Sequence, residues 1–169
     1  MRLELVQGLV TAKSWAQRAI YKALEAPVRV VQDRLRPTSL FPYTFPQLSA
    51  LPLGSVGRAL ADWLVDHHLD LIGKYENHDM QHLLLGYGPD VQGEYCLHAF
   101  MWGNGHRTFL TAATLAVGYA TMPEAWGHFR RATQRGRATP GRIDLLDFNA
   151  LPTQPIETVH RTIGLQPIL

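Results

Sequence analysis

The chemistry legible in this chain is carried by two histidines, two carboxylates and a tight turn. The segment Glu76-Asn77-His78-Asp79-Met80-Gln81-His82-Leu83-Leu84-Leu85-Gly86 is followed by Gly93-Glu94. On a helix advancing about 100° per residue, His78 and His82 lie about 40° apart on one face, and Asp79 about 60° from His82. If Gly86–Asp90 reverses the chain, His82 before the turn and Glu94 after it stand level on antiparallel helices. Two imidazoles and two carboxylates facing across a helical hairpin suit a mononuclear metal site. Zinc is the expected ion, and manganese or iron also accept such N/O ligands. Two carboxylates can shift and leave a position for water or substrate, so the ion is expected to act in catalysis or substrate binding. His82 and Glu94 are the expected catalytic residues. His82 anchors the ion, and Glu94 is the mobile ligand because it comes from the partner helix.

Several residues admit two readings. His98 lies one turn after Glu94 on the same face, as an interior histidine or as a partner that orients the site. Arg130, Arg131, Arg135 and Arg137 fall within eight residues. They form a solvated face, or Arg130 and Arg131 form a site for an anionic headgroup or a substrate carboxylate. The single cysteine, Cys96, excludes an internal disulfide framework and a multi-cysteine zinc site, and it reads as a small buried hydrophobe. A His-Asp phosphohydrolase is a rival reading, with His67 or His68 and Asp144 or Asp147 as partners. Their spacing is compressed for that fold.

Helical periodicity dominates the elements that must position these groups, and no strand alternation stands out. Leu5, Leu9, Ala12, Ala16, Ala19 and Ala23 recur at intervals of three and four, with Lys13, Arg18 and Lys22 opposite. Residues 1–26 are thus expected to form a basic amphipathic helix able to dock on a partner or an anionic membrane surface. Prolines 27, 37, 42, 46 and 52 predict an extended Pro-rich arm over 27–54. The helical body, 55–169, is expected to hold a helix from Ser55 to about His68, with Val56, Leu60, Trp63 and Leu64 inward. Further helices are expected over Lys74–Leu85, from Asp90 to Gly103-Asn104-Gly105, over Arg107–Tyr119, from Pro123 to about Thr133, and from Pro155 to Gly164. The expected fold class is all-α in a single domain, 1–169. The length and 46% apolar content suffice for one core.

A net charge of +2 does not mark a nucleic-acid binder. Residues 1–36 carry seven basic and three acidic side chains, leaving nine and eleven for the rest. The uncharged stretch Thr108–Pro123 has sixteen residues, short of the roughly 20 that span a bilayer. No apolar core with a small-residue cleavage site opens the chain. The expected localisation is cytoplasmic, not secreted, with peripheral attachment to the inner face of the membrane.

The spacing His78-Asp79-x-x-His82, eleven residues, then Glu94 resembles the metal motif of the ubiquinone (coenzyme Q) biosynthesis protein 4 family. Residues 51–64, LPLGSVGRALADWL, resemble the family's segment before the motif, and residues 155–165, PIETVHRTIGL, resemble its C-terminal end. The resemblance covers about residues 50–165. Gln81 departs from it, since an aromatic commonly precedes the second histidine, and so does the stretch Ala99–His106. These departures and the short length suggest a divergent bacterial-type member. The resemblance implies an all-α homodimer in which His78, Asp79, His82 and Glu94 hold the ion beside an apolar pocket for a polyprenyl chain. Phe109–Met122 is then a wall for that chain, or plain core. The implied activity is removal of the C1 carboxylate from a 4-hydroxy-3-methoxy-5-polyprenylbenzoate, with or without hydroxylation at that carbon. A non-catalytic prenyl-lipid scaffold and a soluble metallohydrolase are the alternatives.

Overall fold

The computed structural model describes residues 41–73 and 75–168, together with Ala19 and Ala23. The described helices are α1 (Phe45–Ser49), α2 (Val56–Asp66), α3 (Glu76–Leu85), α4 (Val91–Gly103), α5 (Phe109–Thr121), α6 (Trp126–Ala138) and α7 (Ile156–Ile163), with 3₁₀ turns at Pro123–Ala125 and Ile143–Leu145. No strand occurs among the described residues beyond an isolated bridge between Ser55 and Pro155. The fold class is all-α, as the periodicity indicates. The chain divides into two units, Met1–Pro37 and Thr38–Leu169, and all that follows concerns the second. Apart from the two exposed helical alanines, Ala19 and Ala23, the expected amphipathic helix over 1–26 lies outside the described residues. So does the arm up to residue 40.

Side-chain caps set three of the longer helices. Ser55 accepts from the Arg58 N–H at 3.3 Å, Asp90 from Gly93 at 2.6 Å, and Thr108 from Thr111 at 3.1 Å. Each takes up a donor that a first helical turn leaves without a partner. The Pro-rich arm is not extended throughout, because α1 forms within it. Pro46 sits in the first turn of α1, where its missing N–H costs nothing, and Gln47 Oε1 accepts from the Thr44 N–H at 2.8 Å. The helix that follows Pro123 runs to Ala138, beyond the expected end near Thr133. Gly136 keeps it helical without crowding, since a Cβ there would overlap the carbonyl oxygen of Phe100 on α4. A Cβ at Gly103 would likewise overlap the carbonyl of Thr133, so α4 and α6 cross backbone to backbone.

The core lies where α2, α3, α4 and α6 meet and includes Leu60, Leu64, Met80, Leu84, Phe100 and Phe129. Asn104 ties the far end of α4 to the chain after α6. Its Nδ2 donates to the carbonyls of Gly136, Thr139 and Gly141 at 3.3, 3.1 and 2.9 Å, and its Oδ1 accepts from the Ile143 N–H at 2.9 Å. The apolar helix α5 is only half core. Of its residues Thr111 and Gly118 are buried, whereas Phe109 is 90% exposed. It approaches α4 at Gly118, against the ring of Tyr95, and most of its other apolar residues are half-buried.

Candidate metal centre

The α3–α4 hairpin forms as the turn residues require. Gly86 ends α3 at φ 71°, a left-handed conformation that glycine adopts without strain. Gly93 is needed for a different reason, because a Cβ on it would overlap the carbonyl oxygen of Gly88 in the turn. The close approach is thus between α4 and the turn. Asp90 then starts α4 and sets Glu94 opposite α3.

Glu94 gathers imidazoles. Its Oε1 lies 3.1 Å from His78 Nε2, its Oε2 lies 2.9 Å from His82 Nε2, and His98 Nε2 stands 3.4 Å from Oε1. Among the described residues, His78, His82 and Glu94 form a group whose ligand atoms all lie within 4.8 Å of one another. Asp79 is outside that group. Its Oδ1 is 3.8 Å from His78 Nδ1, the ring nitrogen turned away from Glu94. Arg130 and Arg131 are exposed on α6, where Arg131 meets the His128 ring at 3.1 Å, and no described contact joins them to the cluster.

The donor set fits a divalent ion. His82 Nδ1 faces the carbonyl of Tyr87 at 3.1 Å, and a carbonyl only accepts, so Nδ1 carries a hydrogen. The Nε2 lone pair of a neutral ring would then face a carboxylate oxygen at 2.9 Å, acceptor against acceptor. A positive species must sit between them, either a proton or a metal ion. A tetrahedral ion with bonds of about 2.0–2.1 Å spaces its ligand atoms about 3.3–3.5 Å apart, so the 2.9 and 3.1 Å contacts would open by a few tenths of an ångström and the wider pairs of the group would draw in. These three residues by themselves would leave a tetrahedral ion one position for a further ligand.

The electrostatics of the site without an ion are those of an ion pair. Burial lowers the His78 imidazole, but hydrogen bonds to Asp79 and Glu94 and their charges outweigh it and push it up to about 10. Burial raises Glu94, yet hydrogen bonds from His78, His82 and His98 hold its carboxyl well below the usual carboxylate range. Without an ion the pair is thus imidazolium and carboxylate, and an entering ion displaces the His78 proton.

Four supporting groups escaped the sequence reading. Trp63 of α2 lies over the His82 ring at 6.1 Å with an interplanar angle of 20°. The Tyr87 carbonyl orients the same ring from the turn. Arg135 donates to the Leu85 carbonyl at 2.6 Å and to the Gln166 carbonyl at 2.6 Å, and its guanidinium lies 5.5 Å from both the Tyr87 and Phe100 ring centres. His160 Nε2 meets the Leu84 carbonyl at 2.9 Å. Two side chains from α6 and α7 thus satisfy the last carbonyls of the metal-bearing helix, which a helix C-terminus leaves open. Their origin 50 and 76 residues away gave no local signal in the sequence.

The cluster is open on one side. The His78 side chain is 31% exposed and His98 21%, against 2% for His82. A cavity of about 680 Å³ lined by Tyr43, Phe45, Val65, Leu69, Leu71 and Glu76 opens beside the start of α3. None of the cluster residues lines it. His67 and His68 are exposed, and Asp144 is paired with Arg142 and His106, so the phosphohydrolase constellation does not assemble.

The fold is shared with a solved structure. It is the crystal structure of a protein from Nostoc punctiforme named for ubiquinone biosynthesis. The TM-score is 0.65 at 17% identity, over 92% of this chain and 82% of that one. At that identity the likeness is one of fold. No family model and no curated protein matches the chain.

Proposed function

We propose that this chain is a metal-dependent protein of ubiquinone biosynthesis that acts on a polyprenylated benzoate precursor. The observation that carries the reading is the His78–His82–Glu94 group, open to one side, on a helical hairpin. The fold shared with the Nostoc protein supports the pathway. The proposed ligands are His78, His82 and Glu94, with Asp79 beside them and zinc as the expected ion.

The reaction proposed is removal of the C1 carboxylate from a 4-hydroxy-3-methoxy-5-polyprenylbenzoate. The C1–carboxylate bond breaks, CO₂ leaves, and a proton from solvent takes its place on the ring. An oxidative form would place a hydroxyl at C1 with dioxygen as the two-electron oxidant: the acid, dioxygen and water would give the phenol, CO₂ and hydrogen peroxide. The bound ion would supply Lewis acidity toward the phenolate or carboxylate oxygen. The chain's own contribution is positional. Tyr87 and Trp63 hold the His82 ring, Glu94 shifts to make room for the substrate oxygen, and the apolar rim around Val65 and Leu69 receives the tail.

The scaffold reading draws on the separation of that cavity from the cluster, which suits a protein that holds a prenyl lipid for another enzyme. No described helix is long and apolar enough to cross a membrane. The exposed Phe109 at the start of α5 supports peripheral membrane attachment or a homodimer, and the exposed Arg130 and Arg131 are the proposed partners of anionic headgroups.

Turnover separates the two readings. The purified zinc-loaded protein is incubated with the polyprenylbenzoate and the products are followed by mass spectrometry. Decarboxylation by the wild type, lost in His82→Ala, supports the enzyme. A co-purifying prenyl lipid without turnover favours the scaffold.

A further inference from the structure

We propose that His98 is a direct ligand of the ion, giving the centre a third imidazole beside His78, His82 and Glu94. The inference rests on the metal reading above and extends it. His98 follows Glu94 by one helical turn on α4, so its ring rises from the same face. Its Nε2 is the atom turned to the cluster, as it is in His78 and His82. Its 3.4 Å to Glu94 Oε1 is the longest of the three imidazole contacts on that carboxylate. It matches the spacing of about 3.3–3.5 Å between two ligands of one tetrahedral ion.

Asp79 does not compete for that corner. It lies 3.8 Å from Nδ1 of His78, the ring nitrogen turned away from Glu94, and outside the group of ligand atoms. His98 stands outside the 4.8 Å group, so its ring swings inward as the ion enters. Its side chain, 21% exposed, has the room to do so. The resulting donor set is three neutral imidazoles and one carboxylate, a charge of −1. It differs in kind from the set of two histidines and two carboxylates that sequence spacing suggests.

X-ray absorption spectroscopy on the zinc-loaded full-length protein counts the imidazoles directly through their multiple scattering. The wild type is expected to show three imidazoles, His98→Ala two, and Asp79→Asn three. A wild-type count of two, unchanged in His98→Ala, would make His98 a hydrogen-bond partner of Glu94 only and overturn the proposal. The wild-type count needs no variant to fold. Failure of the wild type to take up zinc at all would instead remove the metal reading on which this rests.

Discussion

Arg135→Met tests the clasp that holds the metal-bearing hairpin. The substitution keeps the aliphatic bulk over Tyr87 and Phe100 while removing the guanidinium. It deletes two donated hydrogen bonds of 2.6 Å, to the Leu85 and Gln166 carbonyls, and two ring contacts at 5.5 Å. Charged hydrogen bonds contribute about 1.5–3 kcal/mol each and cation–π contacts about 0.5–2 kcal/mol. These terms share one group and overlap, so a loss of about 3 kcal/mol is expected. For a chain of this size that corresponds to a fall of about 6–12 °C in Tm, read by thermal unfolding. The functional consequence is separate. Tyr87 carries both the ring under Arg135 and the carbonyl that holds His82 Nδ1 at 3.1 Å. Freeing the turn loosens that carbonyl, and disturbing such a supporting hydrogen bond costs about 10–100-fold in metal affinity. Competition titration with a zinc chelator at a temperature where the variant is folded gives the second number. Wild-type zinc affinity in a variant that melts early would refute the coupling through Tyr87. Wild-type Tm would refute the clasp itself.

Other variants probe separate parts of the molecule. His82→Ala is expected to lose the ion, whereas Glu94→Gln retains it at reduced affinity and loses turnover; metal analysis and the decarboxylation assay distinguish them. Asn104→Ala leaves the buried Ile143 N–H and three carbonyls short of a partner, and chemical denaturation should show a loss of about 3 kcal/mol with zinc affinity unchanged. Gly93→Ala forces a Cβ against the Gly88 backbone, which should cost about 2–3 kcal/mol and weaken zinc binding together. Asp144 is held below the usual carboxylate range first by its hydrogen bond from Arg142, with burial opposing and a smaller contribution from His106. Its stabilising effect is therefore complete above the ordinary carboxyl value of about 4 and fades as pH falls through the lower folded value. The stability gap between wild type and Asp144→Asn should shrink correspondingly in acid.

Sequence alone determined the features that arise within a turn or two of chain. The 3.6-residue period places His78 and His82 on one face whatever surrounds them. Gly86 and Gly164 end their helices with φ of 71° and 64°, and Ser55 and Asp90 cap theirs, because these are contacts between near neighbours. The all-α class and the level pairing of His82 with Glu94 follow from the same local rules plus one tight turn.

Tertiary structure alone decided what those rules leave free, the rotation of each helix about its axis and the partners that arrive from far along the chain. Spacing places Asp79 among the ligands and His98 only as an interior histidine or an orienting partner; the rotation of α3 and α4 turns Asp79 to the outer nitrogen of His78 and His98 toward Glu94. Within the arginine run only Arg135 meets the end of α3, because a charged stripe does not say which of its members faces a helix C-terminus. The apolar helix α5 reads as core in every direction. A side chain buries only where another surface meets it, and α5 is met chiefly along the line of Thr111 and Gly118.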